Sequence, residues 1–143
     1  MFKGEYSHTI DAKGRMIMPS KYRELLGDTF VVTRGFDKCL MAFDQEGWEN
    51  FETKIRKLPI SKPSARKTQR YFIGGSMEVE IDKQGRALIP QGLREHAKLE
   101  KEIVLLGVGN YIEIWDKAVW EKEGCFDDIS SVAVELDELG IEF

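Results

Sequence analysis

The chain is written twice, and that repetition limits its possible folds more than any other feature. Residues 5–24 laid over 76–95, an offset of 71, give seven identities in twenty positions: Ile10/Ile81, Asp11/Asp82, Gly14/Gly85, Arg15/Arg86, Pro19/Pro90, Arg23/Arg94 and Glu24/Glu95. With one residue inserted, the correspondence runs on through Gly35/Gly107, Asp44/Asp116 and Trp48/Trp120. The sequence therefore divides into a first repeat (5–47), a connector (48–75), a second repeat (76–119) and a tail (120–143). A unit this small buries too little surface to close a core alone. Two copies in one chain, related by an approximate two-fold axis, solve the problem as a homodimer would.

Each copy carries the same local signals. Tyr6, His8 and Ile10 recur at every second position, as do Met77, Val79 and Ile81, which is the period of a half-buried strand. Asp-x-x-Gly follows. Asp suits the first place of a type I turn and Gly the fourth, where a positive φ lets a second strand fold back. The returning strands, 15–18 and 86–89, are apolar on both faces, so both faces are expected to be covered. Pro19 and Pro90 end them, and a short helix follows in which Tyr22, Leu25 and Leu26 match Leu93, His96 and Ala97. A further hairpin is predicted in each copy, 30–33 turning at Arg34-Gly35 and returning over 40–43, and 103–106 turning over 107–110 and returning over 112–115. Asp44 and Asp116 stand where a helix N-cap belongs.

A net charge of −4 over 143 residues argues, at face value, against a nucleic-acid partner. The charge is not evenly spread. The repeats carry only −1 and −2, whereas the connector carries +5 and the tail −7. Between Thr53 and Arg70 lie seven basic residues and no acid. Trp48, Phe51, Ile55 and Leu58 predict one helix in the connector, a break follows at Pro59–Pro63, and a second helix is predicted from about 63 to 73, stopped by Gly74-Gly75. In the tail, Ile129, Val132, Leu136, Leu139 and Phe143 recur at helical steps, predicting an amphipathic acidic helix. The simplest reading of these two charged segments is of solvated faces that pair with one another.

No apolar run approaches the ~20 residues that span a bilayer. The opening residues hold an early acid, Glu5, and no apolar core of a secretory signal, so a cytoplasmic protein is expected. Cys39 and Cys125 are then expected to be reduced and structural. No Cys/His spacing suits zinc, and neither a metal nor a cofactor nor a small-molecule substrate is expected.

The repeated loops, Asp11-Ala12-Lys13-Gly14-Arg15 and Asp82-Lys83-Gln84-Gly85-Arg86, hold the candidate functional residues. Asp and Gly are explained by the turn alone: the carboxylate accepts the turn's N–H groups and pairs with the arginine across the hairpin. Lys13 and Lys83 are not explained that way. Hairpin tips carrying Arg and Lys can enter the major groove of DNA or straddle its phosphates. In that reading Lys13, Arg15, Lys83 and Arg86 contact double-stranded DNA, and Asp11, Gly14, Asp82 and Gly85 orient the loops. A catalytic pair of aspartates is the rival of another class. It is disfavoured because each Asp has an Arg four residues on, which holds both carboxylates ionised. His8 and His96 fall where the other copy has Val79 and Leu25, so they are expected to be satisfied core or interface residues.

These residues resemble a known family. Met1-Phe2-x-Gly4, the twin Asp-x-x-x-Arg loops, Pro19-x-x-x-Arg23-Glu24 and Arg34-Gly35 resemble the bacterial MraZ transcriptional regulators, of the wider AbrB-like swapped-hairpin class. The resemblance runs to about Glu123 and leaves the acidic tail unmatched. It implies an α+β, mainly β fold, a double swapped-hairpin barrel made from the two repeats, with a helical connector and a C-terminal helix. It also implies a ring-shaped homo-oligomer, nucleoid-associated, that binds repeated promoter boxes ahead of the division and cell-wall gene cluster, usually as a repressor. By position, the family's DNA contacts fall on Arg15, Arg86 and their loops. Gln84 stands where the first copy has Lys13, so the loops are not identical. The alternatives are an AbrB-like antitoxin, which usually has one copy of the unit, and a ring-forming protein scaffold, which would not need basic loop tips.

Overall fold

In the computed structural model, described for residues 1–124 and 126–141, each repeat lays down the same succession of elements. The first runs β1 (Phe2–Thr9), β2 (Arg15–Ile17), α1 (Ser20–Leu26), β3 (Thr29–Arg34), β4 (Leu40–Phe43) and α2 (Gln45–Arg56). After α3 (Pro63–Phe72) the second runs β5 (Met77–Glu80), β6 (Arg86–Leu88), α4 (Gln91–His96), β7 (Glu102–Gly109), β8 (Ile112–Asp116) and α5 (Lys117–Glu123); α6 (Ile129–Glu138) follows. Asp44 and Asp116 are the N-caps expected of them, accepting from Gly47 N at 2.7 Å and Val119 N at 3.4 Å. The connector's first helix begins at Gln45, three residues before the boundary drawn at 48.

The repeats are joined through their main chains. All strand pairs are antiparallel; six strands form one sheet in the order β1-β7-β8-β4-β3-β5, and β2 pairs with β6 in a separate ribbon. Thus β1 of the first repeat lies on β7 of the second, and β5 of the second lies on β3 of the first. The two-fold relation is visible in the registers. Met16 faces Ala87 at the centre of the ribbon, and Met41 faces Glu113 at the centre of the β4–β8 pair. The fold is mixed α/β and mainly antiparallel. A closed barrel is not found: the six-stranded sheet keeps β1 and β5 as edges.

Alternate side chains of the sheet serve different cores, as a period of two requires. Phe30, Val32, Leu40, Ala42, Ile103, Leu105, Ile112 and Ile114 face inward with Met16, Met18, Ala87, Ile89 and the buried sides of α1 and α4. Val31, Met41 and Phe43 face the other way, against Trp48, Ile55 and Phe72 of α2 and α3. Val104 and Trp115 join Cys39, with Trp120 of α5 packed against them. The strands covered on both faces are therefore β3, β4, β7 and β8. In β2 and β6, for which double cover was expected, Met16, Met18, Ala87 and Ile89 are buried but Ile17 and Leu88 are 51% and 54% exposed. Among the described residues the ribbon has one sheet beneath it and no layer above.

Several local expectations need correction. The second hairpin turns at Asn110-Tyr111, because β7 continues through Gly107, Val108 and Gly109. Met77 and Leu25 are exposed rather than inward. Neither histidine is a core residue: both are half-buried, and His96 lies 3.3 Å from the Tyr71 hydroxyl on α3. Burial, with a smaller effect from Arg34, holds the His96 pKa below its usual value. Cys39 is free and buried, and burial above all pushes its thiol up to about 12, so it is inert at neutral pH. Cys125 and Phe143 lie outside the described residues.

All seven basic side chains of the connector are exposed, as expected of its outer faces. In α6, Val132 and Leu136 are half-buried but no residue is fully buried. Among the described residues no ion pair joins tail and connector, and Glu123 instead meets Lys38 at 3.0 Å. No described helix is long and apolar enough to cross a membrane.

Candidate nucleic-acid interface

The two loops are nearly superposable in their hydrogen bonding. Asp11 Oδ1 accepts from Lys13 N at 3.0 Å and Arg15 N at 2.9 Å, and its Oδ2 accepts from Arg15 Nε at 2.8 Å. Asp82 Oδ1 accepts from Gln84 N and Arg86 N, both at 2.9 Å, and Oδ2 accepts from Arg86 Nε at 2.9 Å. Gly14 and Gly85 close the turns with φ of +91° and +79°, values that favour glycine. The turn chemistry expected of Asp and Gly is thus realised in full.

That chemistry also prepares the arginines. Each uses Nε on its aspartate, and among the described residues neither terminal amino group makes a hydrogen bond. The guanidinium is fixed in direction yet keeps the two-pronged donor edge that matches a guanine or a phosphate. Both arginine side chains are 37% exposed. Lys13, Lys83 and Gln84 are exposed as well. The departure between the copies has a plain meaning: the turn position that donates to the aspartate is Lys13 in one loop and Gln84 in the other.

Arg23 and Arg94 have no role in the sequence reading beyond being shared, and the structure gives them one. The Arg94 guanidinium covers Gly14 of the opposite repeat so closely that a Cβ there would come within 2.5 Å of it, and Arg23 covers Gly85 likewise. Main-chain bonds repeat the exchange, Met18 N to Gly85 O and Ile89 N to Gly14 O, each 2.9 Å. Each loop is therefore braced by the other repeat. The brace is uneven, since Arg94 Nε donates to Ile89 O at 2.8 Å whereas the buried Arg23 Nε has no partner among the described residues. The shared Arg in both copies was the available signal; its meaning depends on the exchange of strands.

The loop aspartates are held ionised. The main-chain N–H of Arg15 lowers the Asp11 pKa, aided by its side chain and by Lys13 N, against a smaller desolvation effect; Arg86 and Gln84 do the same for Asp82. A carboxylate whose folded value lies below its unfolded one contributes fully above the ordinary 3.8, and that contribution is lost only as pH falls through the lowered value. In a carboxyl-carbon NMR titration both residues should show midpoints under 3.8; a midpoint at or above it would contradict the geometry.

The arginines share a surface. Arg15 and Ile17 point outward from β2, and Arg86 and Leu88 from β6, with Arg15 opposite Leu88 and Ile17 opposite Arg86. An open cleft beside them is lined by Arg15, Arg86 and Leu88 and also by Glu78, Glu80 and Asp82, so the surface is not uniformly basic.

The family model described as "MraZ protein, putative antitoxin-like" matches residues 1–71 and 72–124. A protein of Thermoanaerobacter pseudethanolicus is 52% identical over 143 residues, 99% of this chain and 100% of its own length. One of Acetivibrio thermocellus is 50% identical with the same coverage, and one of Ligilactobacillus salivarius 53% identical over 96% of this chain and 99% of its own. All three bear the name Transcriptional regulator MraZ, that of a regulator rather than an enzyme. Matched in both repeats by the family model and at about half identity along its whole length by these regulators, the chain belongs to the MraZ family.

Proposed function

We propose that this chain is a transcriptional regulator that binds double-stranded DNA through its twin Asp-x-x-x-Arg loops. One observation carries the reading: two arginines, each fixed through Nε and, among the described residues, free at both terminal amino groups, stand on one ribbon across a two-fold axis. Arg15 and Arg86 donate to base edges or clamp phosphates, and Lys13 and Lys83 add attraction that is blind to sequence. The duplication speaks for a regulator over a single-unit antitoxin, and the basic loop tips speak for it over a scaffold that binds only proteins.

The finer statements rest on the family resemblance. They are a swapped-hairpin assembly, a ring of subunits, location at the nucleoid, repeated promoter boxes as target and repression of the division and cell-wall gene cluster. Footprinting on the DNA upstream of the protein's own gene tests them together with the loops. Short repeated protected boxes are expected, and an unprotected region would refute the target. If all four basic loop residues meet phosphates, log affinity falls with log salt at a slope of about −3.6 per chain engaged. A flat salt response in a titration series would rule out backbone contact.

A further inference from the structure

The outward face of the β2–β6 ribbon holds a feature that turn chemistry and phosphate binding leave unused. Ile17 and Leu88 occupy equivalent places in the two repeats, and each is more than half exposed, in a fold that covers the neighbouring apolar positions Met16, Met18, Ala87 and Ile89. The register sets them among the arginines. Ile17 is directly opposite Arg86, and Leu88 directly opposite Arg15. Side chains opposite one another on an antiparallel pair share a face, with Cβ atoms roughly 5 Å apart. The ribbon thus presents a quartet in which two aliphatic side chains alternate with two oriented cations about the Met16–Ala87 pair.

We propose that Ile17 and Leu88 are specificity-determining residues that pack against thymine C5-methyl groups in the major groove. This rests on the reading of the ribbon as the DNA-facing surface. The major groove admits a two-stranded ribbon, and the thymine methyl is its one apolar mark, lying beside the acceptor edges that arginine reads. A patch meant for a protein partner would not need each aliphatic group set against a cation whose donor edge is held open by an aspartate. The two halves differ in charge. Glu78 and Glu80 line the cleft that holds Leu88 and both arginines but not Ile17, whereas the first repeat has Ser7 and Thr9 at the corresponding positions. A polyanion approaches the Ile17 half more closely, so Ile17 makes the larger contribution.

The test removes the methyl group alone. A duplex enriched from a random pool by the wild-type protein is remade with each thymine in turn replaced by uracil, which pairs identically. Wild-type affinity is expected to drop about three- to fivefold at the contacted positions, the yield of burying one methyl group. Ile17→Ser and Leu88→Ser are expected to bind the thymine duplex more weakly by a similar factor and to lose the distinction at their own positions. Indifference of the wild type to uracil everywhere, while Arg15→Ala still loses binding, overturns the thymine contact and leaves the loop reading standing. An enriched duplex with no thymine in the protected site, or serine variants that still distinguish uracil, overturns it as well. If Arg15→Ala and Arg86→Ala bind like wild type, the underlying reading fails too. The uracil series needs only the wild-type protein, so a serine variant that misfolds does not remove the test.

Discussion

The double variant Arg15→Ala/Arg86→Ala is expected to lose specific DNA binding while remaining folded. Each arginine is already oriented by its aspartate, at 2.8 Å and 2.9 Å, so little side-chain freedom remains to be lost when its terminal amino groups meet a base. A bidentate contact of this kind contributes about 1–3 kcal/mol of discrimination. Two independent contacts give roughly thirtyfold to twenty-five-thousandfold in affinity for one chain. Several chains on repeated sites would multiply that loss. Stability should change little, because the ion pairs are exposed to solvent and each aspartate keeps its two main-chain donors. Gel-shift titration with specific and random duplexes, alongside circular dichroism, separates the two effects. Lys13→Ala is the contrasting case, expected to weaken both duplexes alike and to flatten the salt slope by about one. Unchanged specific binding by the double variant would refute the role given to the loops.

The largest expected loss of stability comes from Gly107→Ala. Gly107 on β7 pairs with Gly4 on β1, and a Cβ at 107 would overlap Lys3 N and Phe2 C, main-chain atoms that cannot rotate aside. The N-terminal end of β1 would have to lift. That end carries Phe2, buried with its ring edge-on to Tyr22 at 5.8 Å, and the Tyr22 hydroxyl donates to Lys3 O at 3.1 Å and Gly4 O at 2.6 Å. Overpacking costs about 1–3 kcal/mol, and releasing Phe2 removes about 1.5–3 kcal/mol of apolar burial. Against a total stability of about 5–15 kcal/mol this is a large fraction, roughly 10 °C or more in Tm. Calorimetry reads the shift, and hydrogen exchange should show its onset in residues 2–6. A Tm equal to wild type would mean that β1 does not hold this close approach.

This glycine also shows where the sequence is legible and where it is not. The Asp-x-x-Gly-Arg loops are local, with donors and acceptors within five residues, so their geometry follows from composition and spacing alone. The connector helices are local too, since a 3.6-residue period needs only its own stretch of chain. Gly107 reads as part of a turn because Gly-x-Gly usually is one, but its reason lies in β1, about a hundred residues away. Arg23 and Arg94 are equally opaque until the strands are known to cross between repeats, which puts each arginine over the other copy's glycine. The exposure of Ile17 and Leu88 is the harder case. An apolar run on both faces reads as doubly covered, and the mark of the open side is a single charge per strand, Arg15 two positions before Ile17 and Arg86 two positions before Leu88, at the very start of each strand.

The internal two-fold has a consequence for what such a surface can distinguish. A homodimer carries one gene's worth of loop on both sides, so every substitution appears twice and its preferred ligand inherits the dyad. Here the halves are separate stretches of one polypeptide and have already drifted apart, with Lys13 against Gln84 and Ser7 and Thr9 against Glu78 and Glu80. Each half can be altered singly in the sequence, as no substitution is copied into the other. The surface has a left and a right, and a polar ligand such as a DNA strand can be bound in one direction in preference to the other.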